Sequence, residues 1–228
     1  MNDNGKVALV AGASGLVGQE LVATLCDAPE YTRVIAVTRR PFLRSLPKVA
    51  NRIVRFDALE AQLRGMTCDE AFCCLGTTIA AAGSEAAFRA VDHDLVLAFA
   101  RAARAAGARR FTLVSSVGAD AGGRTFYLRV KGETEAAVMT IGFPALDIMQ
   151  PGLLLGSRRE WRPAEFVLQW TLPAVGPLMI GRAQAWRPVR AGTLARAMVG
   201  AARSGRRGVM RFTWPAIRQL AGGVEAGG

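Results

Sequence analysis

The stretch Lys6 to Gly18, KVALVAGASGLVG, limits the fold more than any other part of the chain. Its apolar run, Val7 to Ala11, has the length of a buried strand, and residues from about Ser14 onward read as a helix. Between them lies a turn that needs glycine. Gly12 can take backbone angles that other residues avoid, Gly15 lets a ligand approach the main chain, and Gly18 lets the new helix lie close to the strand. The free N–H groups and positive end of that helix then face whatever lies above the turn, usually a pyrophosphate. On this reading Gly12, Ser14, Gly15, Leu16, Val17 and Gly18 form the phosphate cradle. The competing reading is an ordinary strand–turn–helix whose glycines are structural, since glycine-rich turns are common.

The chain continues in the same idiom. Arg33–Thr38, Arg52–Phe56, Glu70–Leu75, Phe111–Ser115 and Ala145–Gln150 are further strand-like runs. A long amphipathic helix is predicted over Ser84–Ala106, with Phe88, Val91, Leu95, Phe99 and Ala102 at helical spacing and Gly107 as its stop. Another is predicted over Phe126–Ile141, closed by Gly142 and Pro144, and a third over Pro188–Arg203. Continuous apolar runs alternating with helices predict an α/β, Rossmann-type, doubly wound parallel sheet with helices on both faces. The length suits one domain over 1–228, with a cofactor-binding core at 6–152. Residues 153–228 are then a small C-terminal, substrate-side extension with helices, including a charged stretch at 157–162 and an apolar one at 166–180.

Composition narrows the function classes. The net charge of +11 comes almost wholly from arginine, since Lys6, Lys48 and Lys131 are the only lysines. Those arginines are scattered, without the interleaved aromatics that stack bases, so no nucleic acid is expected as a partner. The most lipid-like segment, Ala164–Gly181, is interrupted by Glu165, Gln169, Pro173 and Pro177, so no transmembrane span is expected. MNDNGK has no basic region leading into an apolar one, so no secretory signal is expected. Cys26, Cys68, Cys73 and Cys74 lack metal-ligand spacing and read as buried, reduced thiols. The expectation is a cytoplasmic protein without a metal.

In a doubly wound sheet, ligands bind beyond the carboxyl ends of the strands. Strand two ends at Thr38-Arg39-Arg40, where an NAD enzyme usually places an acidic residue for the ribose hydroxyls. An arginine there can pair with a 2′-phosphate and stack on adenine, which favours NADP(H) over NAD(H). The alternative is a pair of surface arginines. Asp57 ends strand three, where its carboxylate can accept from the adenine amino group or cap a helix. Strand five ends at Ser115-Ser116, and the following helix carries Tyr127 and Lys131 one turn apart on one face. A cation beside a phenol favours the phenolate, which suits the tyrosine to general acid/base work. The alternative is an ordinary amphipathic helix. His93, flanked by Asp92 and Asp94, has no partner with triad logic and reads as a solvated histidine, or one that supports a site from behind, rather than a catalytic one.

With these parts in this order, the chain resembles the short-chain dehydrogenase/reductase superfamily in its extended and atypical branches. Within them it is similar to the Tat-interacting-protein-like NAD(P)-binding group. The segments that carry the likeness are the Gly12, Gly15, Gly18 turn, CCLGTT (73–78), FTLVSSVGAD (111–120), YLRVKGE (127–133) and PGLLLGSRRE (151–160). The resemblance implies that Ser116 hydrogen-bonds a substrate carbonyl or hydroxyl and that Tyr127 exchanges a proton with that oxygen. It implies that Lys131 holds the nicotinamide ribose, that Leu75, Gly76 and Thr77 lie along the middle of the cofactor, and that Ser115, Pro151 and Gly152 lie near it. Asp92 stands where many relatives have an asparagine, and a carboxylate there can pair with Lys131 instead.

The reading is an NADP(H)-dependent oxidoreductase acting on a small carbonyl/alcohol pair. A cofactor-binding sensor or adaptor that works through protein partners is the alternative, because fold does not fix function. Nucleotide-sugar epimerisation or dehydration is a third reading, usually served by a larger C-terminal domain. The apolar 166–180 segment reads most plainly as packing against the domain core, and otherwise as a pocket wall, a lid, or a membrane-surface or subunit contact, the last of which leaves room for a homo-oligomer.

Overall fold

A computed structural model of the chain describes residues 5–41, 46–156 and 181–225. The first unit is β1 (Lys6–Ala11), α1 (Leu16–Asp27) and β2 (Tyr31–Thr38). After it come β3 (Val49–Ile53), α2 (Leu59–Leu63), β4 (Glu70–Cys73), α3 (Ile79–Ala82), α4 (Glu85–Arg89) and α5 (Val96–Ala105). β5 (Arg110–Val114), α6 (Phe126–Met139), β6 (Ala145–Met149) and a short β7 (Leu154–Leu155) follow. Beyond residue 180 lie β8 (Val189–Arg190), α7 (Ala191–Arg203), β9 (Gly208–Phe212) and α8 (Trp214–Glu225).

Seven strands form one sheet in the order β3-β2-β1-β4-β5-β6-β9, and every pairing in it is parallel. The order reverses between β1 and β4, so a crevice opens above the carboxyl ends of those two strands. Side chains of β1 alternate between the two faces. Ala8 and Val10 meet α1, α7 and α8 through Leu21, Leu25, Met198 and Ile217, while Leu9 and Ala11 meet α2 and α5 through Leu63, Phe99 and Ala103. Strands covered on both faces must be apolar throughout, which is why their sequences run without alternation. The many alanines of α7 bury small faces and bring it close to α1.

Several boundaries differ from the sequence reading, each for a physical reason. The first helix begins at Leu16, not Ser14, because Gly12 to Gly15 form a turn closed by the Gly15 N–H donating to the Gly12 carbonyl at 2.9 Å. The third strand is Val49–Ile53, not Arg52–Phe56. As an edge strand it is mostly exposed, and its extent follows its partner β2 from Val34↔Val49 to Thr38↔Ile53 rather than its own apolarity. Asp57 therefore does not end a strand but sits in a 3₁₀ turn, Phe56–Ala58. The helix expected over Ser84–Ala106 is interrupted by a π-helical segment, Ala90–Leu95.

The sheet also does not end with the chain's first 152 residues. β9 pairs with β6 from Ala145↔Gly208 to Met149↔Phe212, so the C-terminal region completes the sheet and covers one of its faces. GVMRF is too exposed and too mixed in character to announce a strand by hydropathy. The 157–162 and 166–180 stretches lie outside the described residues. Cys68 and Cys73 are buried, and burial pushes their thiols up to about 12, whereas Cys26 and Cys74 are partly exposed. Among the described residues no helix is long and apolar enough to cross a membrane.

Candidate functional site

The glycine turn divides its labour as its spacing suggests. Gly12 has φ +76°, and a Cβ there would stand 2.5 Å from the Cys74 carbonyl group and 2.8 Å from the Leu75 nitrogen. A Cβ on Gly18 would lie 2.1 Å from the Gly12 oxygen, so only glycine lets α1 approach the turn. Gly15 differs: it is exposed, has φ −79°, and a Cβ would meet only the Gly12 oxygen, at 3.2 Å. Its missing side chain leaves space above the turn. No side chain caps α1, so the N–H groups of its first turn are left unpaired by the helix. Ser14 is exposed beside them, and its carbonyl accepts from Gln19 Nε2 at 2.8 Å. An uncapped helix start behind a glycine that clears room for an anion fits a pyrophosphate.

Next along the crevice, Cys74 N–H donates to the Ala11 carbonyl at 2.9 Å, which carries the chain past β4 into Leu75, Gly76 and Thr77. Leu75 is buried and Gly76 exposed. The Thr77 N–H donates to Asp92 Oδ2 at 2.8 Å, and Asp92 Oδ1 lies 2.7 Å from Lys131 Nζ. A Cβ on Gly76 would come within 3.5 Å of that carboxylate and 3.8 Å of that ammonium. Asp92, four residues after Phe88 and three before Leu95, faces inward at 1% exposure within the π-helical segment, while the neighbouring His93, its side chain 16% exposed, is bonded to Asp94 at 2.7 Å. Burial pulls the Lys131 ammonium down, but the Asp92 carboxylate, aided by Tyr127, more than offsets it and holds the group above its ordinary value. The pairing of Asp92 with Lys131 expected from sequence is therefore present.

α6 places Tyr127 one turn from Lys131, with the half-buried phenol ring tilted against the fully buried Phe88 ring at 5.4 Å. The two serines after β5 part company. Ser115 is buried and donates to Glu135 Oε1 at 2.6 Å, whereas half-buried Ser116 makes a long 3.3 Å bond to the Val117 carbonyl. Val117 N–H donates to the Pro151 carbonyl at 3.0 Å, which joins the Ser116 loop to Pro151-Gly152. Gly152 is packed so closely that a Cβ would lie 2.5 Å from the Trp186 carbonyl oxygen. The Trp186 ring itself lies over Gly118 and is half exposed.

At the far end of the crevice, Arg39 and Arg40 are exposed beyond β2, and the Arg39 guanidinium stacks over the Phe56 ring at 4.9 Å. That places a flat cation beside an aromatic face, where it is held for contact with an anion or a planar ring. Thr38 Oγ1 donates to the Arg40 carbonyl at 2.7 Å and fixes the turn. Asp57 is exposed and ion-paired with Arg55, which holds its carboxyl below the usual range. Of the residues picked from sequence, Gly12, Leu75, Gly76, Thr77 and Lys131 form one contiguous track, and Val117 links Ser116 to Pro151. Sequence reading missed the π-helical segment, Glu135 and Trp186. An asymmetric charge pattern in KGETE was the only hint of the second.

Taken together, these features define a dinucleotide-binding α/β protein with an NAD(P)-type crevice. The chain belongs to the atypical short-chain dehydrogenase/reductases: residues 12–141 match the family model described as NAD(P)H-binding. Among its relatives is "Protein fmp52, mitochondrial" of Emericella nidulans, 37% identical over 187 residues that cover 79% of this chain and 80% of that protein. Another is "Protein HTATIP2" of Rattus norvegicus, 37% identical over 166 residues, 71% of this chain and 68% of that one. Similar solved structures include MoeE5 in complex with UDP-glucose and NAD (TM-score 0.66, 16% identity, 96% of this chain and 82% of that chain). The UDP-glucose 4-epimerase of Thermotoga maritima is a second (TM-score 0.67, 14% identity, 95% and 82%). At such identities they share the fold. The cytoplasmic expectation is corrected: several fungal relatives carry a mitochondrial name, which points away from the cytoplasm.

Proposed function

We propose that the protein is an NADP(H)-dependent oxidoreductase that interconverts a small carbonyl compound and its alcohol, with Tyr127 as the acid/base. The observation that carries this is the set at the carboxyl ends of β4 and β5: Lys131 held buried, Tyr127 one helical turn away, and Ser116 on the adjoining loop. The Gly12–Gly18 turn and the start of α1 hold the pyrophosphate, Gly76 and Thr77 line its continuation, and Arg39 with Arg40 take the 2′-phosphate. The bound nicotinamide supplies or accepts the hydride. Ser116 Oγ donates to the substrate oxygen and fixes its position, and Tyr127 passes its phenolic proton to that oxygen or takes it back. Lys131 stays charged beside the phenol and offers further donors to the ribose.

A cofactor-holding sensor is the second reading, and one observation favours it. Asp92 neutralises Lys131 at 2.7 Å, so the ammonium's field at the phenol is opposed by a carboxylate. The UDP-sugar ligands named for the structural relatives belong to those proteins. A panel of aliphatic and aromatic aldehydes and ketones, followed by NADPH oxidation, separates the readings. Turnover that Tyr127→Phe abolishes supports the oxidoreductase, and turnover indifferent to that change overturns the mechanism. NADPH binding without any turnover leaves the sensor.

A further inference from the structure

α6 carries Tyr127, Lys131 and Glu135 at successive four-residue steps, so all three share one helical face. The first two belong to the crevice; the third lies one turn deeper and is 3% exposed. Its carboxylate collects donors from the ends of two adjacent strands and from the body of a third. Ser115 Oγ donates to Oε1 at 2.6 Å, and Gln150 Nε2 reaches Oε1 at 2.8 Å and Oε2 at 3.1 Å. Arg211 Nε, on β9, donates to Oε2 at 3.1 Å. A carboxylate only accepts, so it fixes the direction of each of these bonds. Ser115 and Gln150 immediately precede Ser116 and Pro151-Gly152, and their backbones are also laddered, Ser115 N–H to the Met149 carbonyl at 2.8 Å.

We infer that Glu135 is a positioning residue: it sets both loops of the site against the helix that presents Tyr127 and Lys131. The doublet Ser115-Ser116 acquires a reason, since the first serine is tied inward to Glu135 and the second is left at the site. Substituting Gln for Glu135 replaces one acceptor oxygen by an NH₂ that faces the donors of Ser115, Gln150 or Arg211, and so loosens both loops at once. Displacements well under an ångström at reacting groups lower turnover strongly while binding persists.

The kinetic arm of the test rests on the oxidoreductase reading; the exchange arm does not. Glu135→Gln and the swap Glu135→Gln/Gln150→Glu, which restores an amide–carboxylate pair, are compared with wild type in the full chain. In the free protein, Glu135→Gln should speed amide exchange at 115–118 and at 150, 152 and 153 by about fivefold or more, with β1 unchanged. With NADPH and a carbonyl substrate from the panel, kcat should fall about tenfold while KM stays within about threefold. The swap, which rebuilds the bond to residue 150 but not those of Ser115 and Arg211, should slow exchange at 150, 152 and 153 back toward wild type more than at 115–118. Exchange that is unchanged, or that accelerates equally across the sheet, overturns the inference. So does a kcat that Glu135→Gln leaves unchanged in an enzyme that turns over. If wild type binds NADPH but turns nothing over, the oxidoreductase reading fails, and the exchange arm still decides the role of Glu135.

Discussion

The two glycines at 15 and 18 should respond to alanine in opposite ways. At Gly18 a methyl would stand 2.1 Å from the Gly12 oxygen, more than an ångström inside ordinary contact, and 2.8 Å from the Ala13 Cα, and both neighbours are backbone. The turn cannot yield without disturbing Gly12, which is itself wedged against Cys74 and Leu75. α1 must therefore back away, loosening Val17, Leu21, Val22 and Leu25 from the core. Overpacking of this kind costs about 1–3 kcal/mol, which for a domain of this size lowers Tm by roughly 4–8 °C at the middle of that range. At Gly15 the backbone is one that alanine adopts freely, the residue is exposed, and the only close neighbour is 3.2 Å away. Gly15→Ala should leave stability within about 0.5 kcal/mol. Its methyl, however, occupies the space above the turn, and NADPH affinity should fall at least tenfold, about 1.4 kcal/mol. Thermal unfolding of the free chain and fluorescence titration with NADPH measure the two effects separately. If Gly15→Ala binds NADPH like wild type, the turn does not hold the pyrophosphate. If Gly18→Ala is as stable as wild type, the packing argument fails.

Two further outcomes follow from charge. Wild type should bind NADPH more tightly than NADH, and Arg39→Ala with Arg40→Ala should erase that preference; equal affinities before substitution would sink the NADP(H) assignment. Lys131 is raised in the folded state, so its contribution to stability is fully present below its unfolded value of about 10.4 and is lost as pH rises through the higher folded value. Tm of wild type, measured from about pH 9 to 11.5, should therefore fall more steeply than that of Lys131→Met/Asp92→Asn, which lacks the pair. Parallel curves would refute that.

Much of the fold was legible because its strands are buried on both faces and its turns need glycine. β1, β5 and β6 could be read within a residue or two from apolar runs alone. Edge strands were not, because neither β3 nor β9 has two covered faces: Val49–Ile53 and Gly208–Phe212 are held by backbone pairing to a better-buried neighbour. The site was legible wherever chemistry depends on spacing along one element, as with Tyr127 and Lys131. It was opaque where partners meet across the sheet. Glu135 looks like any helix glutamate until Ser115, Gln150 and Arg211 converge on it from three strands. Asp92 already shares the helical spacing of Phe88, Leu95 and Phe99, but an aspartate on that face has no evident partner until Thr77 and Lys131 meet it from other elements. The cytoplasmic expectation rested on composition and hydropathy, which carry no address to set against the mitochondrial names of fungal relatives.

If hydride passes in this crevice from a nicotinamide to a carbonyl while Tyr127 handles the proton, a label on the hydride must follow it to the alcohol. NADPH deuterated at the nicotinamide C4, incubated with the protein and a carbonyl substrate that it turns over, tests this most directly by mass spectrometry of the alcohol. The expected result is one deuterium on the carbinol carbon with wild type, transferred from one face of the nicotinamide, and at least a hundredfold slower labelling with Tyr127→Phe, about 2.7 kcal/mol at the transition state. An alcohol that forms without deuterium, or labelling as fast without the Tyr127 hydroxyl, would contradict it.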